Sequence, residues 1–301
     1  MRNEWFEFSP LRNRPDFSWP DGKRLCVYFA LNIEVFTFGD GSGVDLDRST
    51  PPPNLRSFFW REYGNRVGVW RILDLFHELD IPLGVVANSA AYDHCPDVMD
   101  AFRVRGDEII GHGTTNSILL QNLNAEEELA EIETVRQTIN RAEGRPPEGW
   151  LSPYLAPSER TPHLLKKSGF SYILDWVCDD QPFWGATPDG GILSIPYPIE
   201  LNDQPSVIYR RNTAKEFADM ITDGFDEQLA YSAKHPLVFA ISLHSFIMGQ
   251  PFRLLHLRRA LEHILRRRDE IWLARPRDIA AHYRNLPANI QTGLPAKERK
   301  S

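Results

Sequence analysis

Short apolar segments alternate with amphipathic segments along most of the chain. The run Leu25–Leu31 contains no charged side chain, so it predicts a strand that is buried on both faces. Other short apolar runs predict strands at Leu83–Ala87, Asp107–Gly111, near Trp150, Tyr172–Asp175, Ile192–Pro196, Leu237–Leu243 and Ile271–Leu273. Apolar residues at helical spacing predict the intervening helices, which include one through Val69, Ile72, Leu73, Phe76 and Leu79, and others at Pro96–Arg105, from Asn124, Pro162–Ser168, Thr213–Ala233, Leu254–Arg268 and from Asp278.

The regular alternation of strand and helix predicts a parallel sheet. About seven such units in succession favour a closed or nearly closed (β/α) barrel. No internal repeat or shift in composition divides the chain, so we expect one barrel domain over residues 21–286, an N-terminal arm over 1–20 and a C-terminal tail over 287–301. The polar stretch Thr37–Asn54, rich in Gly and Pro, is typical of a long active-site loop.

Composition excludes several classes of protein. The formal charge of −7 disfavours nucleic acid or an anionic membrane as the main partner. No segment approaches the roughly 18 apolar residues of a membrane span, and the first residues lack the apolar run of a secretory signal. The three cysteines are odd in number and far apart, which argues against a disulfide framework. We expect a cytoplasmic enzyme with a small-molecule substrate.

Polar side chains with useful chemistry follow several predicted strands. Glu34 follows the first strand, His112 follows the third, and His244 ends a late strand. His112 stands between two glycines, which would let a ligand approach its ring closely. Reactive groups of a (β/α) barrel lie where strands end, so these three side chains should meet. Together they could supply a general base, a general acid and an electrophile for hydrolysis.

The order of these motifs resembles that of the polysaccharide deacetylase superfamily, also called carbohydrate esterase family 4, over about Lys23 to His282. The resemblance implies a distorted (β/α)7 barrel, with Glu34 as base, His112 as first metal-binding histidine and His244 as acid. Three positions depart from the deacetylase pattern. They hold Val35 instead of the metal-binding acid, Asn116 instead of the second metal-binding histidine, and Leu151 instead of an arginine.

The chain is more similar to the cofactor-independent allantoinases of that superfamily than to its sugar deacetylases. The matching stretches are Tyr63–Arg71, Gly111–Gly113, Asp179–Trp184, Pro196–Tyr197, Asn202–Asp203, and His244 with Gly249–Arg253. The resemblance implies a homo-oligomer, a dimer or tetramer, and leaves the substrate open. Allantoinases tend to carry an acid where Val35 stands and an aromatic residue where Asn116 stands. Allantoin, hydantoins, cyclic imides and other cyclic amides all remain possible substrates.

The departures also bear on metal binding. Val35 and Asn116 leave His112 as the one strong nitrogen ligand, which is too few for a tight catalytic zinc site. We therefore expect no cofactor. If zinc or another divalent metal bound at all, His112 would hold it with Asn116 as a weak partner.

A metal-free mechanism can be formulated from the same residues. Glu34 would take a proton from water, His112 and Asn116 would steady the oxyanion, and His244 would protonate the leaving nitrogen. Asp179 or Asp180 would orient His244 or bind substrate N–H groups. We also count Trp184, Tyr154 and Arg253 as substrate-binding candidates, although Trp184 could equally be a packing residue.

Three functions remain open at this point. The leading hypothesis is a hydrolase that opens a small cyclic amide, ureide or imide. The second is a metal-dependent deacetylase of polysaccharides or amino sugars, and the third is an inactive barrel that binds a small ligand. The aromatic residues of the N-terminal arm could form a subunit contact or pack on their own barrel.

Overall fold

The structure, a computed structural model, describes residues 3–38 and 55–295. The predicted loop Thr37–Asn54 thus lies almost entirely outside the described residues. The strands, β1 to β9 in chain order, are Leu25–Ile33, Gly84–Ala87, Glu108–Gly111, Gly149–Trp150, Tyr172–Ile173, Phe183–Thr187, Gly190–Ser194, Leu237–His244 and Ile271–Leu273.

The helices lie between and after these strands. In chain order, α1 to α10 are Leu55–Tyr63, Val69–Glu78, Ala91–His94, Pro96–Arg105, Ala125–Glu143, Thr161–Lys167, Ala214–Ser232, Ser245–Met248, Pro251–Leu265 and Pro276–Arg284. Within the described residues, no helix combines the length and the apolar character that crossing a membrane would require.

The strands form one sheet in the order β6-β7-β5-β4-β3-β2-β1-β8, parallel except for the antiparallel pair β6 and β7. β1 pairs with β8 on one side, and on the other with β9 and then β2. After β7 the chain returns to β8 and joins it at a single bridge between Asn202 and Ser242. Pro196 and Pro198, which lack the N–H of a continuous ladder, lie between β7 and this bridge, and the N–H of Val238 in β8 donates to the carbonyl of Asp180 instead. The fold is the distorted (β/α) barrel that the alternation predicts.

Alternate residues of β1 belong to two different apolar clusters. Leu25, Val27, Phe29, Leu31 and Ile33 pack with the helices outside the sheet. Cys26, Tyr28 and Ala30 pack in the barrel interior. Because side chains of a strand alternate with period two, the same inward row continues upward to Asn32 and Glu34. The interior row thus turns from apolar to polar at the carboxyl end of the barrel, where the predicted site residues lie.

Several predicted boundaries change in the structure. The predicted helix through Val69 is preceded by α1 and a wider helical turn over Gly64–Gly68, so the helical region begins earlier. α9 begins at Pro251 rather than Leu254, since proline suits the first turn of a helix. β6 was not predicted, because it forms a hairpin with β7 and breaks the alternation of strand and helix.

The described part of the N-terminal arm packs on its own barrel. The ring of Trp5 stacks on Trp176 at 5.9 Å between centroids, and Phe6 contacts Phe183 edge to face. Trp19 is buried, and its indole nitrogen donates to the carbonyl of Leu237 at 3.0 Å. Of the two interpretations of this arm, the structure therefore shows the intramolecular one. Homo-oligomerisation stays a prediction.

The lower end of the barrel contains a buried carboxyl group. Glu108 accepts a hydrogen bond from the hydroxyl of Tyr172 at 2.6 Å and another from the backbone N–H of Arg277 at 2.7 Å. Burial raises the pKa of Glu108 to about 7, although both hydrogen bonds act to lower it.

This raised pKa makes stability depend on pH. A carboxyl group whose pKa is higher in the folded state stabilises it below the unfolded pKa, and this contribution is lost as pH rises through the folded pKa. Glutamine does not titrate, so we expect the free energy of unfolding of Glu108→Gln to lack this fall with pH. Between pH 4.5 and pH 7 the variant should therefore become more stable relative to the parent by up to about 3 kcal/mol. Urea unfolding across this range measures it, with Glu227→Gln on the surface as the charge-matched control. Equal pH dependence in parent and Glu108→Gln would contradict the assignment.

Candidate active site

Three of the predicted residues meet at the carboxyl end of the barrel. Oε1 of Glu34 lies 3.6 Å from Nε2 of His244 and 3.9 Å from Nε2 of His112. All three side chains are buried. The register explains the meeting, because Asn32 of β1 is paired with His244 of β8 and Glu34 follows two residues later on the same face.

His244 is held by Asp203. Nδ1 of His244 lies 2.6 Å from Oδ1 of Asp203, and the backbone N–H of His244 donates to Oδ2 at 2.8 Å. Burial lowers the pKa of His244, but the negative charges of Asp203 and Glu34 outweigh it and raise the pKa to about 10. His244 is therefore an imidazolium at neutral pH.

Glu34 is the carboxylate of this arrangement. Burial acts to raise the pKa of Glu34, but the charge of His244 and the contacts with both histidines outweigh it and hold the pKa well below its usual range. Its backbone carbonyl accepts a hydrogen bond from the side-chain amide of Asn65 at 2.9 Å. Asn65 lies in the helical turn Gly64–Gly68, which connects this matched stretch of sequence to the site.

His112 is oriented by a backbone group. Its Nδ1 lies 2.7 Å from the carbonyl oxygen of Leu151, and a carbonyl can only accept, so Nδ1 carries a proton. Nε2 is thereby directed toward Glu34. Below Leu151, Asp175 accepts hydrogen bonds from the backbone N–H and the hydroxyl of Ser152, at 2.7 and 3.0 Å. Burial raises the pKa of Asp175 to about 6.

A cavity of about 200 Å³ opens above these groups. Its lining consists of Asn32, Glu34, His112, Leu151, Tyr154, Leu155, Tyr197, Ile199, Asn202, Gln204, Pro205, Tyr209 and His244. Tyr154, a predicted binding residue, is partly exposed, and its backbone is left-handed with φ of 61°. This conformation is unfavourable for a residue with a side chain and is often found at functional sites. The described lining contains no lysine or arginine.

Two predicted residues lie elsewhere in the barrel. Asp179 binds Arg14 of the N-terminal arm through both carboxylate oxygens at 2.6 Å. The carbonyl of Asp180 accepts from the N–H of Val238, six residues before His244 and thus roughly 20 Å below it along β8. The hypothesis that Asp179 or Asp180 orients His244 is therefore wrong, because Asp203 is the partner. The sequence did contain a signal for Asp203, because Asn202-Asp203 is one of the stretches that match the allantoinase branch. In the structure Asn202 is bridged to Ser242 of β8, which brings Asp203 to His244.

Three further candidates do not line the cavity. Trp184 is buried on β6, and its indole nitrogen donates to Gln291 at 2.8 Å, which supports packing rather than a substrate wall. Asn116 is buried behind the site, and its side-chain oxygen accepts from the amide of Asn88 at 3.2 Å. Arg253 is half-buried and does not line the cavity. Burial raises the pKa of Asp203, and the positive charge of Arg253 is one of the contributions that oppose this rise.

The described residues do not fit the metal of the deacetylase pattern. The apolar Val35 replaces an acid, and the oxygen of Asn116 is already engaged by Asn88. An amide oxygen is also a weaker zinc ligand than the imidazole it replaces. No group of three or more His, Cys, Asp or Glu side chains with a geometry suited to a metal occurs in residues 3–38 and 55–295.

An α/β barrel with a carboxylate and two imidazoles at the carboxyl ends of its strands has the groups of a hydrolase that works by acid–base chemistry. Comparisons with known proteins agree. A family model described as "Polysaccharide deacetylase" matches residues 59–173. A putative polysaccharide deacetylase of Schizosaccharomyces pombe is 26% identical over 294 residues, which cover 87% of this chain and 91% of the relative.

Two solved structures are similar over most of their length. The crystal structure of Puue allantoinase is 31% identical, with a TM-score of 0.81 and coverage of 90% of this chain and 94% of that one. A probable polysaccharide deacetylase from Pseudomonas aeruginosa PAO1 is 28% identical, with the same TM-score and coverage. The chain thus belongs to the polysaccharide deacetylase superfamily, in its allantoinase-like branch. It is a hydrolase of carbon–nitrogen bonds.

The Asp203–His244 contact allows a direct test of the protonation state. We expect Asp203→Asn to lower the pKa of His244 from about 10, because it removes one of the two negative charges that stabilise the imidazolium. NMR titration of the histidine rings measures this shift. The matched control is Asp226→Asn, which alters the surface contact with His263 and should leave the His244 titration unchanged. An unshifted His244 in Asp203→Asn would disprove the role of Asp203.

Proposed function

We propose that this protein opens a small, uncharged cyclic amide, ureide or imide by metal-independent acid–base catalysis. The observation that carries the proposal is the intact Glu34–His244–Asp203 row in a site whose metal-ligand positions hold Val35 and Asn116. A carboxylate and an imidazolium suited to acid–base catalysis adjoin in this row, and the positions of two metal ligands carry other residues.

The size and lining of the cavity support a small ring as substrate. A volume of about 200 Å³ lies below the range of roughly 300–1,000 Å³ that holds drug-sized ligands. Asn202 and Gln204 supply amide groups that can bind the –CO–NH– edges of such a ring, whereas the amide N–H groups of Asn32 already donate to Ser242 and Leu243. A lining without lysine or arginine among the described residues favours a neutral substrate over an anionic one.

The positions of the charged groups suggest the order of proton transfers. Glu34, as a carboxylate, takes a proton from water while the water oxygen attacks the ring carbonyl carbon. His112, whose Nε2 lies 3.9 Å from Oε1 of Glu34, stabilises the oxyanion that forms. His244 then protonates the leaving nitrogen as the carbon–nitrogen bond breaks. The proton on Glu34 can return to His244, whose Nε2 lies 3.6 Å away.

The structure changes one part of the original mechanism. Asn116 was expected to help His112 hold the oxyanion, but it is buried and does not line the cavity, so its amide N–H groups do not face the substrate. Of these two residues, we therefore propose that only His112 stabilises the oxyanion.

Hydrolysis of a substrate panel tests the proposal. The panel contains allantoin, hydantoin, succinimide, dihydrouracil and an N-acetylglucosamine oligomer, each assayed after exhaustive chelation and again with zinc. We expect ring opening at a rate that chelation does not change, because Glu34, His112 and His244 supply the acid–base groups. The readout is consumption of the ring by chromatography, with acetate release measured in parallel.

The other outcomes identify the alternatives. The second candidate is a metal-dependent deacetylase, and the names of two of the relatives described above favour a deacetylase. Acetate release that requires zinc would establish that candidate and contradict ring opening. Binding of a ring compound without any turnover would instead support an inactive ligand-binding barrel.

Substitution of the base and acid provides a second test. We expect Glu34→Gln and His244→Ala each to reduce kcat by about 10²–10⁴-fold while substrate still binds, because each removes a proton carrier and leaves most of the cavity lining intact. Steady-state kinetics and calorimetric titration measure the two effects. Glu227→Gln and His263→Ala make the same changes on the surface and should retain parental kcat. Near-normal kcat in Glu34→Gln would exclude Glu34 as the base.

A further inference from the structure

The region between the ends of β1 and β3 contains a network of amide hydrogen bonds. Its centre is Asn88, which follows β2 and is completely buried. Val35 and Asn116, the two residues that depart from the metal-binding pattern, are both partners in this network. The network therefore lies at the positions from which the deacetylase pattern would hold its metal.

Asn88 brackets the backbone of Glu34. Its own N–H donates to the carbonyl of Ile33 at 3.1 Å, and its side-chain oxygen accepts from the N–H of Val35 at 2.8 Å. These two bonds fall on the residues immediately before and after Glu34. One side chain and its backbone thus fix the segment that presents the proposed catalytic base.

The other end of the same side chain holds the segment of His112. The amide nitrogen of Asn88 donates to the backbone carbonyl of His112 and, at 3.2 Å, to the side-chain oxygen of Asn116. The N–H of Asn116 donates to the carbonyl of Val35 at 2.9 Å and closes the network. A primary amide has one acceptor oxygen and two N–H donors, and all of these groups are used here.

We infer that Asn88, assisted by Asn116, is the positioning residue that sets the separation of Glu34 and His112, in place of the metal that the deacetylase pattern would use. This inference rests on the proposed function. A metal bound by both strand ends would fix their distance, and a buried amide that joins the same two ends has the same geometric effect. Asn88 acts through Glu34 and His112 and does not line the cavity.

A purely structural role of Asn88 and a positioning role predict different effects of its substitution. If Asn88 only satisfied buried backbone groups, its loss would lower the free energy of unfolding and leave kcat unchanged in the folded fraction. A positioning role predicts a loss in kcat, because a displacement of reacting groups by about 1 Å can cost about 10²-fold in rate. It also predicts little change in KM, since the cavity lining is intact.

The experiment uses Asn88→Ala and Asn88→Asp with the ring substrate that the wild type opens after chelation. We expect kcat to fall by about 10- to 100-fold in both variants, with KM within about threefold. Asn88→Asp keeps the acceptor for Val35 but loses both N–H donors, so it tests the bonds to His112 and Asn116 specifically. The loss of rate at high pH, where the proposed acid His244 loses its proton, should occur at the same pH in these variants as in the wild type. The reason is that the Asp203–His244 contact is unchanged.

Tyr172→Phe is the matched control. It removes a buried hydrogen bond to Glu108 at the opposite end of the barrel and should lower stability without changing kcat. Urea unfolding of all variants supplies the stability scale. If Asn88→Ala does not fold, Asn116→Ala serves in its place, because it removes only the hydrogen bond between the side chains of Asn88 and Asn116. We expect this variant to lower kcat by about threefold to tenfold.

The results separate the two proposals. A wild type that opens no ring, or requires zinc, refutes the proposed function and with it the basis of this inference. An active wild type with parental kcat in the Asn88 variants, or with a rise in KM alone, refutes the positioning role and leaves the proposed function standing.

Discussion

The parallel pairing of β1 with β8 is the constraint on which the site depends. Eight successive residues are in register, from Leu25 opposite Leu237 to Asn32 opposite His244. A shift by one residue would exchange the two faces of β1, placing its outer apolar row inside the barrel and its inner row against the helices. Burial of two different apolar faces therefore fixes this register. The register in turn determines that Glu34 lies beside His244.

The site that results contains more buried charge than a core tolerates without compensation. Burial of an unpaired carboxylate or imidazolium is strongly unfavourable, so such groups persist when charges of opposite sign adjoin. Asp203, His244 and Glu34 form this alternating row, with contacts of 2.6 and 3.6 Å. The arrangement that makes the charges compatible with burial also keeps Glu34 ionised and His244 protonated. These are the forms that a general base and a general acid need before reaction.

The departures from the deacetylase pattern form part of one local structure. Val35 and Asn116 both join the hydrogen-bond network of Asn88, and Leu151 orients His112 through its backbone carbonyl, which any residue could supply. The positions at which the deacetylase pattern has other residues thus make packing and backbone contacts in this chain. This is consistent with a branch of the superfamily that has kept the acid–base groups and the barrel.

The sequence by itself determined the properties that depend on neighbouring residues. The uncharged run of β1 and the helical spacing after Val69 predicted the elements and their buried faces. The helix predicted from Asn124 is α5, and Asn124 and Glu127 form a capping box with both of its hydrogen bonds at the start of that helix. Glu34 after the first strand, His112 between glycines and His244 at a late strand end identified all three residues that meet, because strand ends of a barrel converge.

Only the tertiary structure decided which distant groups become partners. Asp203 lies 41 positions before His244, and Arg14 is 165 positions from the Asp179 that it binds. The sequence therefore could not indicate that Asp203, rather than Asp179 or Asp180, contacts the histidine. Trp184 was equally ambiguous until the C-terminal segment was seen to cover it. Local pattern encodes which face of a segment is buried, whereas the identity of a long-range partner depends on how the sheet curves and where each loop returns.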